Sequence, residues 1–378
     1  AGEYVIVSNV WGFLPTFKLP SLSGGVHRIM GALVVIATGV LLIFATASAN
    51  KQATTTTTSS TPAHNMQRPT QLRALLADTS RRAQAMGKLQ PLATTSTVVN
   101  DGGIGFLVFT ADYSGAEVKD KIPTLGPNTQ PTADPFDAKT RDKQLVVAPV
   151  APKHTLLLNK FFTLQEHALL VTDAYIPQTT PLTHHDFDAW YWSITQTNAV
   201  GFFNSAWEAG ASQQHKHMQL VPLDVIKDLR PDHSNALPVE DVLLSTMASQ
   251  EVYDPFDSRH TFRLRQYNFQ HAFVRLSSQS QWKSAVSGYK VQPSYARYLY
   301  TAYVDLMRET GILQLQQEAS LGRMRQRRLE EAPAAVAEDL APYNLVLTEN
   351  WMLAVPRSHR LFEDAVDVNG LGFAGLLL

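Results

Sequence analysis

The stretch His215-Lys216-His217-Met218-Gln219-Leu220-Val221 constrains the fold more than any other in the chain. Its strict alternation of side-chain character fits an extended strand, in which successive residues point to opposite faces. His215, His217 and Gln219 then line one wall, and Lys216 and Met218 the other. Just upstream, Gly210 to Gln213 is a run of small residues, a turn whose backbone N–H groups an anion can approach closely.

Those residue types suit phosphoryl chemistry. A neutral imidazole attacks phosphorus if its second ring nitrogen is held by an acceptor and if nearby donors absorb charge on the phosphoryl oxygens. The spacing assigns His217 as nucleophile, His215 as the residue that shapes and orients the pocket, and Gln219 as a donor to a non-bridging oxygen. Two other readings stand beside this one. A His-x-His pair also serves as a metal ligand pair, with His154, His167, His184, His185 and His271 available to complete a set, or as an ordinary surface feature. With no cysteine among 378 residues, disulfides and thiolate metal sites are excluded. A net charge of −1 gives no sign of bulk attraction to nucleic acid.

Residues 1–28 show no sustained period and read as an N-terminal extension. Residues 29–49 contain no charged side chain, and about twenty residues at ~1.5 Å each cross a hydrocarbon core of roughly 30 Å. One transmembrane helix is expected there, with a retained signal-peptide core or a buried helix as its competitors. His27 and Arg28 on one side and Lys51 on the other leave its orientation open. Residues 50–71, with Thr54 to Thr58, Ser59 and Ser60, read as a polar linker too poor in apolar groups to fold alone. The chain starts at Ala1 and not at Met, as expected of a processed chain or one lacking its targeting segment.

Beyond residue 71, Leu72, Leu75, Leu76 and Met86 fall at helical spacing. Residues 97–99 and 104–109 read as strands around the turn Asp101-Gly102-Gly103, and 144–147, 155–158 and 168–172 as further strands. Residues 187–197 form a helix capped by Thr183 or Asp186, a reading preferred to a metal role for His184 and His185. Phe202-Phe203 is a strand whose end presents Asn204, an amide suited to a phosphate or ribose oxygen. Lys160, ending a strand, is a fixed ammonium able to neutralise phosphate. Residues 296–313 read as a helix, and residues 321–339 as a charged, Ala-rich span with Arg323, Arg325, Arg327 and Arg328.

Gly201 to Leu223, with Gly210-Ala211-Ser212-Gln213-Gln214-His215-Lys216-His217-Met218-Gln219 at its centre, closely resembles the signature of ATP adenylyltransferases. These diadenosine tetraphosphate phosphorylases are a branch of the histidine-triad superfamily related to galactose-1-phosphate uridylyltransferase. Asp134-Pro135-Phe136 resembles the family's Asn-Pro-Phe segment, and Leu157-Leu158-Asn159-Lys160-Phe161 its nucleotide-site strand. Tyr343 to Thr348 and Trp351 to Arg357 resemble its late strands, so the similarity runs from residue 72 to the end. It implies an α+β, histidine-triad-like domain over 72–378 with a mostly antiparallel sheet. It also implies phosphorolysis of a diadenosine polyphosphate through a nucleotidyl-His217, with phosphate as acceptor and ATP and ADP as products. By the same resemblance Gly210, Ser212 and Gln213 meet phosphate oxygens, Asn204 and Lys160 hold nucleotide, and Lys119 or Lys121 contacts the polyphosphate. No metal or other cofactor is required.

The chain departs from the pattern at Phe203 for Tyr, Ala206 for Gly, Phe109 for a basic residue, and in an end that stops short of a further helix. Together with the apolar segment, these departures support a second expectation: a weak or inactive relative serving as accessory subunit of a respiratory or photosynthetic membrane complex. Either way, an organellar membrane, mitochondrial or chloroplast, is the expected location.

Overall fold

The computed structural model describes residues 71–111, 134–249, 261–277, 295–313, 340–362 and 366–378. The apolar segment 29–49, linker residues 50–70, Lys119, Lys121 and the charged span 321–339 lie outside them, while Gln71, read as the linker's last residue, is the first of a helix. Among the described residues no helix is long and apolar enough to cross a membrane.

Helix α1 (Gln71–Ala85) buries Leu72 and Leu76, one turn apart. Met86, grouped with them by spacing, falls past the last turn and is 48% exposed. After β1 (Gln90–Pro91) comes the hairpin of β2 (Thr94–Asp101) and β3 (Ile104–Ala111). Its tight turn needs two positive φ angles, and Gly102 and Gly103 supply them at 57° and 84°. Strand β4 (Val146–Val150) starts later than the expected 144 because the Asp142 carboxylate accepts from the Gln144 N–H and winds residues 143–145 into a 3₁₀ turn. Strands β5 (His154–Leu158), β6 (Phe161–Phe162) and β7 (Ala168–Thr172) follow.

Helix α2 (His184–Thr197) starts on a capping box, in which Thr183 accepts from the Asp186 N–H and Asp186 accepts from the Thr183 N–H. That agrees with the cap reading of this stretch. Next come β8 (Ala199–Asn204), β9 (His217–Pro222), α3 (Leu223–Asp228), α4 (Glu240–Ala248), β10 (Thr261–Phe262) and β11 (Ala272–Arg275). Helix α5 (Tyr295–Glu309), β12 (Tyr343–Leu347), β13 (Trp351–Pro356), β14 (Leu361–Phe362), β15 (Val366–Asp367) and β16 (Leu376–Leu377) complete the order.

Nine strands form one sheet in the order β10-β11-β13-β12-β8-β9-β7-β5-β4, each pair antiparallel. The expected mostly antiparallel α+β architecture is therefore present, and β8 and β9 stand at its middle. Alternation sends Met218, Leu220, Phe203 and Leu345 to one core, covered by α1, α2 and α5. It sends Phe202, Val221, Val346 and Leu353 to a second core, shared with β3, β16 and residues 370–374. Gly201 lets α2 settle on the sheet, because a Cβ there would lie 2.5 Å from Trp190 Nε1. In the smaller sheet β16 pairs parallel with β3.

Candidate active site

Residues 215 and 216 extend β9 backward. The Lys216 N–H donates to the Ile176 carbonyl (2.8 Å), the Thr172 N–H donates to the Lys216 carbonyl (3.2 Å), and His215 bridges to Pro177. The alternation read from sequence holds. Lys216 turns to the helical side and is buried, where its Nζ donates to Asp186 Oδ2 (3.2 Å) and to the Pro181 carbonyl (2.9 Å). Burial alone raises the Asp186 pKa, but the His154 Nε2 hydrogen bond (3.0 Å) and the Lys216 charge outweigh it and hold the group well below the usual carboxylate range. Lys216 thus fastens the segment between the two histidines to the start of α2.

On the opposite wall, His217 Nδ1 lies 2.9 Å from the His215 carbonyl. A carbonyl only accepts, so Nδ1 carries the proton, and the Nε2 lone pair has no partner among the described residues. Burial pushes the His217 pKa down to about 4, so the ring is neutral near pH 7. Its backbone N–H donates to Gln178 Oε1 (2.8 Å), and Gln178 Nε2 donates to the carbonyls of Asn204 (2.7 Å) and His217 (3.2 Å). Gln178 therefore ties the ends of β8 and β9 together. His215 holds Asp134 Oδ2 through Nδ1 (2.7 Å) and the Thr172 carbonyl through Nε2 (2.8 Å). The Phe136 ring covers both imidazoles at 6.0 and 5.2 Å.

Gln219 Oε1 sits 2.9 Å from His167 Nε2, and His167 Nδ1 sits 3.2 Å from Asn159 Nδ2. Asn204 is buried, its Oδ1 accepting from Asn344 Nδ2 (2.8 Å) and the Gly370 N–H (3.0 Å), so only its Nδ2 remains to meet a ligand. In the small-residue turn, the Gly210 and Ala211 N–H groups donate to the Trp207 and Ala206 carbonyls (2.9 and 3.0 Å). The expected anion cradle thus loses those two donors. Gly210 serves the turn instead, at φ 88° against Asn369. Ser212 and Gln213 line a cavity of about 300 Å³ together with Tyr175, Gln178, Ala206 and Trp207.

Lys160 is exposed, with its ammonium 5.4 Å from the Phe161 ring centroid. Phe203 points into the helix-side core near Tyr343, so the hydroxyl missing there lies away from the imidazoles. Ala206 does face the cavity. Among the described residues no three His, Asp or Glu side chains are grouped to hold a metal.

Sequence reasoning did not single out Gln178, Asp134 as partner of His215, or His167 as partner of Gln219. The Asp-Pro-Phe and Leu-Asn-Lys-Phe segments pointed near two of these contacts, while Gln178 sits in a loop with no pattern of its own.

A central strand that presents a neutral imidazole with one open lone pair equips a protein for group transfer through histidine, although the cavity is lined by Gln178 and the 211–214 turn and not by His217 itself. Residues 62–245 match the Ap4A phosphorylase N-terminal domain, and residues 265–378 match the ATP adenylyltransferase C-terminal domain. The chain belongs to the Ap4A phosphorylase/ATP adenylyltransferase family of nucleotidyltransferases. It is 26% identical over 261 residues to diadenosine 5',5'''-P1,P4-tetraphosphate phosphorylase 2 of Saccharomyces cerevisiae, covering 65% of this chain and 68% of that one. To Protein APA1 of the same yeast it is 24% identical over 324 residues, covering 82% and 87%. The crystal structure of yeast Ap4A phosphorylase Apa2 shares the fold, with a TM-score of 0.56 and 23% identity over 82% of this chain and 89% of that one. The Apa2 complex with Ap4A aligns with a TM-score of 0.55 and 22% identity, covering 81% and 88%.

Proposed function

We propose that this chain phosphorolyses diadenosine tetraphosphate, with His217 as the covalent nucleophile. The observation that carries the reading is the His217 ring, neutral, with Nδ1–H fixed on the His215 carbonyl and Nε2 open. Nε2 attacks the α-phosphorus, a P–N bond forms as the bond to the bridging oxygen breaks, and ATP leaves with the electron pair. An oxygen of inorganic phosphate then attacks the adenylyl-histidine, the P–N bond breaks, and ADP leaves the restored imidazole. His215 braces the nucleophile through its own carbonyl, while its ring is held by Asp134 and Thr172. Gln219, Ser212 and Gln213 donate to phosphoryl oxygens, Asn204 Nδ2 and Lys160 hold nucleotide, and Lys119 or Lys121 neutralises the polyphosphate. This route calls on no metal or other cofactor.

Family membership and the open Nε2 favour an enzyme over an accessory subunit. Residues 29–49 are proposed to anchor it, with 50–71 as tether and 72–378 as catalytic domain, at an organellar membrane. The supporting observation is the charge-free apolar run itself. Incubating the purified protein with diadenosine tetraphosphate and phosphate tests the activity: ATP and ADP should appear in equal amounts, and His217→Ala should abolish both. Turnover that survives His217→Ala would discard the nucleophile assignment.

A further inference from the structure

The amide of Gln219 has nearly the same shape with its oxygen and nitrogen exchanged, so packing alone does not choose which end faces a ligand. Its hydrogen-bond partner does. The chain of partners starts at the backbone: the Phe161 N–H donates to Asn159 Oδ1 (3.2 Å). With that oxygen occupied as acceptor, the Asn159 amine is the end turned to His167 Nδ1, at 3.2 Å. Nδ1 must then accept, which leaves the ring proton on Nε2. Nε2–H donates to Gln219 Oε1 at 2.9 Å. The Gln219 amine is left without a partner among the described residues, two positions along the strand from His217 and on the same wall.

His167 is buried, its ring lies 5.7 Å from that of Phe202, and burial pushes its pKa down to about 4, so the ring is neutral near pH 7 and its partners set which nitrogen holds the proton. Were the proton on Nδ1, it would meet the Asn159 amine, donor against donor, and Nε2 would draw the Gln219 amine away from the site.

We propose that His167 is a positioning residue for the transfer reaction: its Nε2–H holds Gln219 Oε1 so that the Gln219 amine faces the phosphoryl group at His217. This rests on the phosphorolysis reading above. The negative oxygens of the phosphoryl group require a donor, and a reversed amide would present a carbonyl and repel them.

Steady-state phosphorolysis of diadenosine tetraphosphate by the full chain, its variants and the wild type tests the proposal. His167→Met should lower kcat about tenfold or more with KM changed little, since the donor acts chiefly on charge developing in the transition state. His167→Gln, whose amine can replace Nε2–H, should recover most of kcat. The double variant His167→Met/Gln219→Ala should be no slower than Gln219→Ala, because both remove one interaction. A purely structural histidine would instead add its loss to that of Gln219→Ala, and that additivity, or a wild-type kcat in His167→Met, overturns the proposal. A wild type that forms no ATP or ADP overturns the phosphorolysis reading first. If His167→Met fails to fold, the ¹⁵N spectrum of the wild-type His167 ring decides: protonated Nε2 is expected, and protonated Nδ1 overturns the proposal.

Discussion

His217 and His167 are both buried, and both titrate near 4 in the folded chain against about 6.5 when unfolded. Between those values the unfolded state binds protons that the native state refuses. Stability is therefore full above about pH 6.5 and falls as pH drops toward 4, by about 1.4 kcal/mol per pH unit for each histidine. Urea unfolding followed from pH 7 to pH 4 should show that slope, and His217→Gln should remove about half of it. A flat profile would mean that the rings protonate in place. For the same reason the acid limb of kcat/KM should lie well below pH 6.5, since His217, the proposed nucleophile, loses its lone pair only near its own folded pKa.

Between elements, the strand carrying the histidines is fastened from behind by a charge pair with both side chains almost wholly buried, Lys216 with Asp186. The two partners are not equivalent. Without Lys216, Asp186 still accepts from His154 and from the Thr183 N–H and hydroxyl. Without Asp186, the Lys216 ammonium keeps, among the described residues, only the Pro181 carbonyl. Asp186→Ala should therefore cost about 3–5 kcal/mol in denaturant unfolding, and Lys216→Met distinctly less. Equal losses would show that the rest of the Asp186 network contributes little. At the seat of α2, Gly201→Ala should cost about 1–3 kcal/mol, because its Cβ would push on Trp190 and Ile194 at 2.5 and 2.7 Å; unchanged melting would show that α2 shifts without strain.

For the whole molecule, the nine-stranded sheet, its two cores and the wall that carries His215, His217 and Gln219 lie within the described residues, all of which follow position 70. Removing residues 1–61, which precede the stretch matched by the family's N-terminal domain, should leave phosphorolysis within about twofold of the full chain. It should also abolish co-flotation with lipid vesicles, which the intact chain is expected to show through residues 29–49. Flotation that survives the deletion would place the membrane contact elsewhere.

Much of this protein was legible in its sequence because the signals are local. Strand alternation at 215–221 sorts side chains to two faces whatever the fold around them, and β7, the Thr183 cap and the Gly102-Gly103 turn follow from single-residue stereochemistry. The family, too, was carried by a short run of residues in one order. Partner choice was not legible. Asp134 reaches His215 across 81 positions and His167 reaches Gln219 across 52. Gln178 bridges two strand ends from a loop without periodicity. The Gly210 and Ala211 amides, open to an anion on paper, are consumed by the turn from Ala206 to Ala211. Sequence thus determined which chemistry the central strand carries, since that depends on residue type and spacing. Tertiary structure alone decided the tautomers, burial and amide orientations that make the chemistry workable, since each depends on a group brought from elsewhere in the chain.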